Sequence, residues 1–537
     1  MVLESDAKTT PSLVFIPTQY VMLNSYLKNN VFTILNFHSY YLICAIDNNF
    51  KTLKNHKMVN LWKKYDSKKT FDEYLNSENK IRRQAIIISH ILERHGIKKL
   101  NEIEKNCAST INARGINFRV YSSGKKLQEK KWPLDIIPRI ILKKDWAKVS
   151  KGLLQRVKAL NLFIDDVYND RKIFKDNIIP EELVFNSPYY LRECYGFSPK
   201  YKAWSNISGI DLIRNINGEF MVLEDNLRVP SGVSYMLENR MVMRDVFPEL
   251  FTKYKVASVH QYPNKLYHCM QECVPRKTKN PHMCVLTPGR YNSAYFEHRF
   301  LAEQMGVALV EGKDLFVEKD FVYMKTVKGP LKVDCIYRRI DDNFLDPKVF
   351  YKHSVLGVPG LFKCWRKGNI GILNAPGTGI ADDKAIYSYV DKMIKFYLDE
   401  EPKLKQVQTF LCRKKIHKDH VIENISKLVV KPTNGSGGNG ILIGPKASKS
   451  ERDSMIDKIK AKPEDYIAQP LEILSTTPTI SEEGIQPRHL DLRPFVLTGK
   501  KSWVTTGGLT RVALKKGSTI VNSSQGGGSK DTLVIER

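Results

Sequence analysis

The sequence lacks the features of a membrane-spanning or secreted protein. Its most apolar run, Val31–Ile46, has 16 residues and contains Asn36 and His38, whereas a membrane-spanning helix needs about 20 apolar residues. The acidic and polar first residues are unlike a secretory signal peptide. The nine cysteines are odd in number and scattered, which favours reduced thiols over a disulfide framework. We therefore expect a cytoplasmic protein without a membrane partner, and a membrane anchor at Val31–Ile46 is the alternative.

Sequence motifs for nucleic-acid binding are also missing. The net charge of +28 and the isoelectric point near 9.5 would suit such a protein. However, the lysines and arginines are spread along the whole chain, and we find no RNA-binding signature, zinc finger or basic-region helix. The charge can equally reflect a composition rich in lysine and asparagine, or a surface for anionic small substrates such as ATP. We expect no nucleic-acid partner.

One group of metal-ligating residue types needs separate treatment. It consists of His268, Cys269, Cys273, His282 and Cys284. Zinc sites usually combine a tight Cys-x2–4-Cys pair with a matching second pair. The first pair is plausible here, but the second is irregular. Zinc binding by Cys269, Cys273 and Cys284 and free thiols therefore both stay open.

The patterning along the chain predicts an α/β protein of several parts. The composition, 42% hydrophobic and 26% charged over 537 residues, leaves room for about two to four domains. We predict an uncertain segment at 1–60, a mainly helical region at 61–200, two strands and a helix at 201–260, alternating strands and helices at 283–410, and mainly strands at 411–537. The alternation in the fourth part is typical of a parallel α/β domain.

Local periodicity predicts individual elements. Apolar residues recur at three- and four-residue steps from Lys69 to Gly96 and again from Trp146 to Asp170, which predicts two long amphipathic helices. GIDLIRNINGEFMVLEDN, at 209–226, predicts a β-hairpin that turns at Asn217-Gly218. Such a hairpin would bring Asp211 and Glu224 close together.

A glycine-rich stretch is the strongest local signal for a ligand. Residues 428–444 spell LVVKPTNGSGGNGILIG, and Gly435, Gly437 and Gly440 satisfy the dinucleotide-binding pattern G-x-G-x-x-G. That pattern is informative only between a strand and a helix, and a second strand follows here. We therefore predict a hairpin with a glycine-rich tip, which lets backbone N–H groups approach phosphates. Lys431 could neutralise phosphate charge, and a surface hairpin without a ligand is the alternative.

Two groups of polar residues could act beside phosphates. Glu224, Asp225 and Asn226 are adjacent, and Glu-x-Asn suits a divalent cation; Asp225, between them, is expected to face the opposite side of the strand. In the second group, Asp491 and Arg493 share one face of a predicted strand, and Arg511 and Asn522 follow on later strands. Such a cationic wall suits phosphates in transfer, and solvated strand faces are the alternative.

These segments resemble the circularly permuted ATP-grasp proteins, a bacterial family described as candidate peptide ligases or as relatives of glutathionylspermidine synthase. The resemblance covers roughly 120–537 and rests on WPLDIIPRII, LLQRVKALNLFIDDVY, LEDNLRVPSG, YNSAYFEH, YRRIDDNFLDP, ADDKA, GSGG and RHLDLRPF. In other ATP-grasp carboxylate–amine ligases, the aspartate strand and the Glu-x-Asn strand come last. Here they lie at 211–226, before the α/β part, and the chain ends where they would otherwise follow.

The resemblance implies a circularly permuted ATP-grasp fold with a helical N-terminal region. The segment 201–260 would be the displaced metal-binding piece, 283–410 a Rossmann-like pre-ATP-grasp domain, and 411–537 the central and C-terminal lobes. It also implies site residues. These would be Lys384, Lys431, Gly435, Ser436, Gly437, Gly438, Gly440, Gln469, Leu471 and Asp491 for ATP; Arg493, Arg511 and Asn522 for catalysis; and Asp211, Glu224 and Asn226 for Mg²⁺.

The implied activity is that of an ATP-dependent carboxylate–amine ligase. It would join a small-molecule or peptide carboxylate to an amine through an acyl phosphate, and it implies neither the identity of the substrates nor the oligomeric state. A phosphotransferase and a non-catalytic nucleotide-binding partner protein are the alternatives. Four residues at a predicted strand end are candidates for substrate contact, with an ion-pair cluster as the alternative. They are Arg338, Arg339, Asp341 and Asp342.

Overall fold

A computed structural model describes residues 61–67, 69–121, 127–434, 440–518, 521 and 526–536. They belong to one unit, Asn60–Arg537. The predictions for 1–60, for Asn522 and for the glycine-rich tip at Gly435, Ser436, Gly437 and Gly438 lie outside the described residues. No helix in the described part of the chain is both long enough and apolar enough to cross a membrane, and Val31–Ile46 is not part of it.

The helices vary from single turns to 28 residues. In chain order they are α1 (Ile86–Ala113), α2 (Lys143–Tyr168), α3 (Lys172–Lys175), α4 (Glu182–Phe185), α5 (Val233–Val246), α6 (Glu249–Lys253), α7 (Tyr262–Cys273), α8 (Tyr295–Met305), α9 (Asp342–Leu345), α10 (Leu361–Arg366), α11 (Lys384–Tyr387), α12 (Val390–Leu398), α13 (Lys415–Asn424) and α14 (Lys449–Ala461). The position of α2 confirms the helix predicted from Trp146 to Asp170.

The strands are short, and most are linked by turns. In chain order they are β1 (Asn117–Tyr121), β2 (Leu127–Lys131), β3 (Leu134–Leu142), β4 (Ile207–Arg214), β5 (Phe220–Asn226), β6 (Met283–Leu286), β7 (Ala308–Val310), β8 (Leu315–Glu318), β9 (Phe321–Thr326), β10 (Gly329–Val333), β11 (Cys335–Arg338), β12 (Gly371–Leu373), β13 (Lys405–Gln406), β14 (Phe410–Leu411), β15 (Leu428–Pro432), β16 (Leu442–Ile443), β17 (Tyr466–Pro470), β18 (Thr476–Ser481), β19 (Gly484–Arg493), β20 (Phe495–Thr498), β21 (Ser502–Val504), β22 (Leu509–Val512) and β23 (Gly528–Ile535).

The largest sheet joins strands from both halves of the chain. Its order within the described residues is β13-β5-β4-β19-β22-β23-β3, with β18, β20 and β21 paired at its side. The predicted hairpin is confirmed: β4 and β5 are antiparallel, Asp211 lies opposite Glu224, and Gly218 takes a left-handed φ of 80° in the turn. Because β4 also pairs with β19, strands separated by more than 200 residues in the sequence become neighbours.

A second sheet is parallel, as the alternating pattern predicts. Its order is β12-β11-β6-β7, and each neighbouring pair runs in the same direction. The predicted strand at Phe321–Thr326 differs, because as β9 it lies in a separate antiparallel sheet, β10-β9-β8. The turns on either side of β9 are only two residues long, and such short connections permit antiparallel pairing alone.

Another sheet, β14-β17-β15-β16, carries the strands on either side of the glycine-rich stretch. β15 and β16 pair antiparallel, with Val430 opposite Leu442, so the predicted hairpin is confirmed and a Rossmann turn is excluded. Helices α13 and α14 cover this sheet through Val421 and Ile459, which are buried with Val430. The domain limits that the sequence predicts stay a prediction.

The helix predicted from Lys69 to Gly96 has different limits in the structure. It starts only at Ile86 and continues past Gly96 to Ala113, with a break at Gly96, where φ is 65° and ψ is 166°. Upstream, the carboxylate of Asp72 accepts hydrogen bonds from the backbone N–H groups of Tyr74 and Leu75 at 2.9 and 2.8 Å. Such local side-chain bonds compete with helix formation, which explains why the helical periodicity before Ile86 is not realised.

A buried ion pair attaches the segment before α1 to the large sheet. The Glu73 carboxylate is fully buried and accepts from Arg139 of β3 at 2.6 Å and from Arg214 of β4 at 2.8 Å. Arg139 also donates to the carbonyl oxygen of Asp491, at 3.2 Å. Burial alone would raise the pKa of Glu73, but the two arginines outweigh it and lower that pKa. Glu73 therefore connects three strands of the sheet.

We expect Glu73→Gln to lower the free energy of unfolding by about 3–5 kcal/mol, because it leaves two buried guanidinium groups short of a counter-charge. The matched control is Glu78→Gln. Glu78 pairs with Lys80 at 2.8 Å but is 65% exposed, so this change should cost no more than about 1 kcal/mol. Urea unfolding followed by fluorescence measures both variants, and equal losses of stability would contradict the role assigned to Glu73.

Candidate active site

Residues from distant parts of the chain line one small cavity of about 10 Å³, which is open to solvent on one side. It lies between β5, β15, β17 and the start of α11. Its lining residues are Leu223, Glu224, Asp225, Asp382, Lys384, Tyr387, Lys431, Ile467 and Gln469. The structure thus brings together Glu224, Lys384, Lys431 and Gln469, which the sequence analysis had assigned to the same site.

Lys431 points its ammonium group at the side chain of a neighbouring strand. Its Nζ donates to Oε1 of Gln469 at 2.7 Å, and Nε2 of Gln469 donates to the hydroxyl of Thr409 at 2.9 Å.

Leu471, predicted for the same region, follows β17 and is not among the described lining residues. Gly440, the described glycine of the predicted phosphate loop, has a left-handed φ of 73° just before β16 begins.

Lys384 is held at the first position of α11. Its Nζ lies 3.3 Å from Oε1 of Glu224, and its backbone N–H donates to the carbonyl of Thr433 at 3.3 Å. The side chain of Asp383 caps the helix by accepting from the N–H of Ala385 at 2.7 Å. The cap fixes where α11 starts, and so it fixes the direction from which Lys384 approaches Glu224.

Two lysines share one carboxylate in this cavity. The other two lining carboxylates are already paired, Asp225 with Arg156 at 2.7 Å and Asp382 with Arg228 at 2.7 Å. Burial lowers the pKa of Lys431, nearby Glu224 and Asp211 raise it and Lys384 lowers it, so that the pKa is about 8 instead of 10.5. The two lysines thus lie beside a carboxylate that pairs with no arginine among the described residues, an arrangement that suits an anionic ligand.

A row of ion pairs adjoins the cavity on the large sheet. Asp211 of β4 accepts from Arg493 of β19 at 2.5 and 2.8 Å and from Arg511 of β22 at 2.8 Å. Asp491, opposite Arg511 in the sheet, accepts from the same guanidinium group. Burial would raise the pKa of Asp211, but Arg493 and Arg511 lower it to about 2. The carboxylate is therefore ionised at any physiological pH and holds both arginines in place.

The three predicted metal ligands differ in their contacts. Both oxygens of Asp211 are bonded to arginine, whereas Glu224 is 33% exposed and bonded to Lys384. The side-chain nitrogen of Asn226 is buried and has no hydrogen-bond partner among the described residues. Glu224 and Asn226 are thus the two whose side chains are not bonded to an arginine among the described residues. Asp225 contacts Arg156 of α2 instead of the cavity lysines.

The candidates for substrate contact at the end of β11 separate into two kinds. Arg338 is fully buried, donates to the carbonyl of Asn374 at 2.6 Å and pairs with Asp342 at 2.7 Å. Arg339 is also buried and pairs with Glu297 at 3.0 Å. These contacts are those of the ion-pair cluster that was the alternative interpretation. Asp341 differs, because its side chain is 48% exposed.

Asp382 lines the cavity, and neither it nor its partner Arg228 was predicted from the sequence. Arg228 lies two positions beyond Asn226, between Asp382 at 2.7 Å and Asp341 at 3.2 Å, and its guanidinium group stacks over the ring of Tyr189 at 4.4 Å. A signal for both existed, since Arg228 belongs to LEDNLRVPSG and Asp382 to ADDKA. Tyr189 lies in a loop without a recognisable motif, and its place could come only from the folded structure.

The cysteines of the possible zinc site are buried and free. Cys273 accepts from Nδ2 of Asn206 at 3.2 Å, and the thiol of Cys269 lies 3.4 Å from the carbonyl oxygen of Thr498. Among the described residues, no group of three or more His, Cys, Asp or Glu side chains is arranged to hold a metal ion. The contacts of these two thiols are therefore those of packed, structural cysteines.

Comparison with known sequences identifies relatives over most of the chain. The sequence profile of a family described as "Circularly permuted ATP-grasp type 2" matches residues 138–513. An uncharacterised protein of Synechocystis sp. is 46% identical over 473 residues, which are 88% of this chain and 98% of that protein. An uncharacterised protein of Mycobacterium tuberculosis is 49% identical over 409 residues, 76% of this chain and 74% of that protein.

Two further comparisons concern proteins with more informative names. A Frankia casuarinae protein with the provisional name glutamate–cysteine ligase 2-2 is 39% identical over 469 residues, 87% of this chain but only 54% of that protein. Among solved structures, a glutathione synthetase-like effector of Globodera pallida in apo form matches with a TM-score of 0.51 and 11% identity, over 82% of this chain and 98% of that one. The second match concerns the fold alone.

The charge balance of the cavity leads to a measurable pKa. After reductive ¹³C-methylation, one lysine resonance should titrate near pH 8 and disappear in Lys431→Arg. In Lys384→Met the same pKa should rise, because a neighbouring positive charge is lost, and in Glu224→Gln it should fall. Glu219→Gln, which removes a carboxylate paired with Lys405 at 3.0 Å at the far end of the same hairpin, should leave it unchanged. A Lys431 resonance that titrates above pH 10 would contradict the described charge balance.

Proposed function

Because this chain belongs to the circularly permuted ATP-grasp family of type 2, we propose that it is an ATP-dependent carboxylate–amine ligase. It would form an amide or peptide bond through an acyl phosphate. The observation that carries the proposal is the position of two lysines at one cavity, Lys384 paired with Glu224 and Lys431 with a lowered pKa, next to a row of anchored arginines. A triphosphate would place negative charge beside both lysines.

The cavity residues suit the phosphates of ATP. Lys431 and Lys384 approach from two different segments, and Lys431, with its lowered pKa, becomes a better cation once a phosphate lies beside it. The hard oxygens of Glu224 and of the Asn226 side chain fit the ligand preference of Mg²⁺. Bound there, Mg²⁺ would neutralise phosphate charge during transfer. Gln469, which orients Lys431, remains our candidate for the adenine side.

The arginines suit the phosphoryl group in transfer. Arg493 is the more open of the two, with 15% of its side chain exposed against 8% for Arg511. Asp211 and Asp491 hold both guanidinium groups in fixed directions, so little reorganisation is needed as charge develops on the transferring oxygens. In this proposal Asp211 acts by positioning the arginines, which fits its contacts better than the role of metal ligand that the resemblance implies.

The proposed reaction has two steps. A substrate carboxylate oxygen attacks the γ-phosphorus of ATP, the bond to the β,γ-bridging oxygen breaks, and ADP leaves. The nitrogen of the amine then attacks the acyl carbon, the bond from that carbon to the phosphate oxygen breaks, and phosphate leaves while the amine loses a proton to solvent. No protein nucleophile is required. The substrates named for the Frankia relative are not carried over, since the match spans about half of that protein.

Hydroxylamine tests the proposal without knowledge of the amine. With MgATP, one of the twenty L-amino acids or a small dicarboxylic acid, and hydroxylamine as the surrogate amine, we expect ADP and hydroxamate to form in equal amounts, because hydroxylamine traps an acyl phosphate. Release of a phosphorylated acid without hydroxamate would indicate a phosphotransferase. Nucleotide binding without ADP formation from any acid would indicate a non-catalytic partner protein. Either result would overturn the proposed function.

A pair of matched variants controls for loss of fold. Glu224→Gln should lower the rate of hydroxamate formation by about 100-fold or more, because it weakens the hold on the Mg²⁺ that would stabilise the transferring group. Glu219→Gln removes a similar lysine-paired carboxylate from the same hairpin, 47% exposed and outside the cavity, and should keep the rate within about twofold.

A further inference from the structure

We infer that Arg228 and Asp341 form a subsite for the α-amino-acid head of the acid substrate, with Arg228 binding its α-carboxylate and Asp341 its ammonium group. The inference rests on the proposed function and extends it. The reacting carboxyl would be the second one of the substrate, so the chemical class is a dicarboxylic α-amino acid. Three observations support this subsite: the anchoring of Arg228, the space made for it, and its exposed outer end.

The inner half of Arg228 is anchored by one carboxylate. Oδ1 of Asp382 accepts from the backbone N–H groups of Leu227 and Arg228 at 2.5 and 3.2 Å, and Oδ2 accepts from Nε of Arg228 at 2.7 Å. The carbonyl of Arg228 accepts from Nδ2 of Asn374 at 3.1 Å. Main chain and side chain are thus both fixed before any ligand arrives, which lowers the entropic cost of binding.

Space for the Arg228 side chain depends on a glycine. A Cβ on Gly379 would lie 2.9 Å from Cδ of Arg228 and 2.9 Å from Cβ of Tyr189, closer than atoms in contact approach. The ring of Tyr189 supports the guanidinium group from one side, at 4.4 Å, and its hydroxyl donates to the carbonyl of Asn434 at 2.9 Å. Tyr189 therefore connects the arginine to the segment that leads into the glycine-rich hairpin.

The outer end of Arg228 makes an exchangeable contact. Nη1 lies 3.2 and 3.4 Å from the two oxygens of Asp341, whose side chain is 48% exposed. Exposed ion pairs of this length contribute little. A substrate carboxylate can therefore replace Asp341 on the guanidinium group, and the released Asp341 then faces the substrate ammonium group. The exchange conserves the number of ion pairs.

The location fits a substrate whose head lies beside the transfer site. The Cα atoms of Arg228 and Asn226 are at most about 7 Å apart, and Asn226 and Glu224 are the proposed Mg²⁺ ligands. Asp341 lies just past the carboxyl end of β11 in the parallel sheet, where ligands of open α/β sheets bind. The ion pair of Arg228 and Asp341 thus joins the segment after the proposed Mg²⁺ ligands to the carboxyl end of the parallel sheet.

The test measures KM values in the hydroxamate assay with L-glutamate and L-aspartate. Glutarate, which lacks the ammonium group, and 4-aminobutyrate, which lacks the α-carboxylate, serve as comparison compounds. We expect Arg228→Met to raise KM for the reactive amino acid at least tenfold, and Asp341→Asn to raise it for the amino acid but not for glutarate. Asparagine keeps the capping contact of Asp341 to the N–H of Asp342, so the fold of α9 is preserved.

Two further variants separate binding from stability. Arg413→Met is the matched control, because Arg413 pairs with Glu182 at 3.2 Å with similar exposures of 24% and 50%, away from the cavity; its KM should be unchanged. Gly379→Ala should raise KM as Arg228→Met does. Neither Arg228→Met nor Arg413→Met should alter the affinity for AMP-PNP with Mg²⁺.

The outcomes separate this inference from the proposed function. If other acids of the panel give hydroxamate but L-glutamate and L-aspartate do not, or if Arg228→Met and Arg413→Met have equal KM values, the subsite is wrong and the ligase proposal stands. If no acid gives hydroxamate, the ligase proposal fails and the subsite fails with it. Equal effects of Asp341→Asn on L-glutamate and glutarate would also overturn the assignment of the ammonium group.

Discussion

The candidate site depends on one shared carboxylate. Asp211 comes from the first half of the chain, and its partners Arg493 and Arg511 come from the last fifty residues. Separating these charges inside the protein would be costly, because a buried charge without its partner loses several kcal/mol. The pairing therefore fixes how the displaced hairpin meets the C-terminal strands, and it holds both guanidinium groups in place. It explains how a chain in permuted order can still build one continuous site.

Charge pairing also distinguishes the residues of the cavity that support the fold from those that can bind a ligand. Most buried carboxylates of this region have an arginine partner: Asp225 has Arg156, and Asp382 has Arg228. Glu224 is different, because it faces two lysines and has one side open. Where the surroundings satisfy each charge, the residue supports the fold. Where a charged group has no oppositely charged partner among the described residues, as at Lys431, it can bind a ligand. We assign function to that difference.

Local patterns predicted much of this architecture. The hairpin of β4 and β5, the helix α2 and the hairpin that carries Lys431 follow from periodicity and turn residues, because those signals act over a few positions. The motifs also assign Glu224, Lys384 and Lys431 to one site, and all three line the same cavity. What they could not supply are contacts across the sheet. Glu73 bonds Arg139 and Arg214, and no spacing in the sequence relates those residues. The antiparallel sheet at Phe321–Thr326 was missed because strand direction depends on the length of the connecting turns, not on the strand itself.

We infer that Lys431 takes up a proton when a polyphosphate binds beside it. Calorimetry of AMP-PNP binding with Mg²⁺, in two buffers of different ionisation enthalpy, counts the protons taken up. With a pKa of about 8, Lys431 is mostly neutral at pH 9 and becomes protonated when phosphate binds, so uptake should approach about one proton there and fall towards zero at pH 7. Lys431→Arg, which stays charged, should abolish the difference between the two pH values. No proton uptake at pH 9, or equal uptake in Lys431→Arg, would contradict the binding of phosphate beside Lys431.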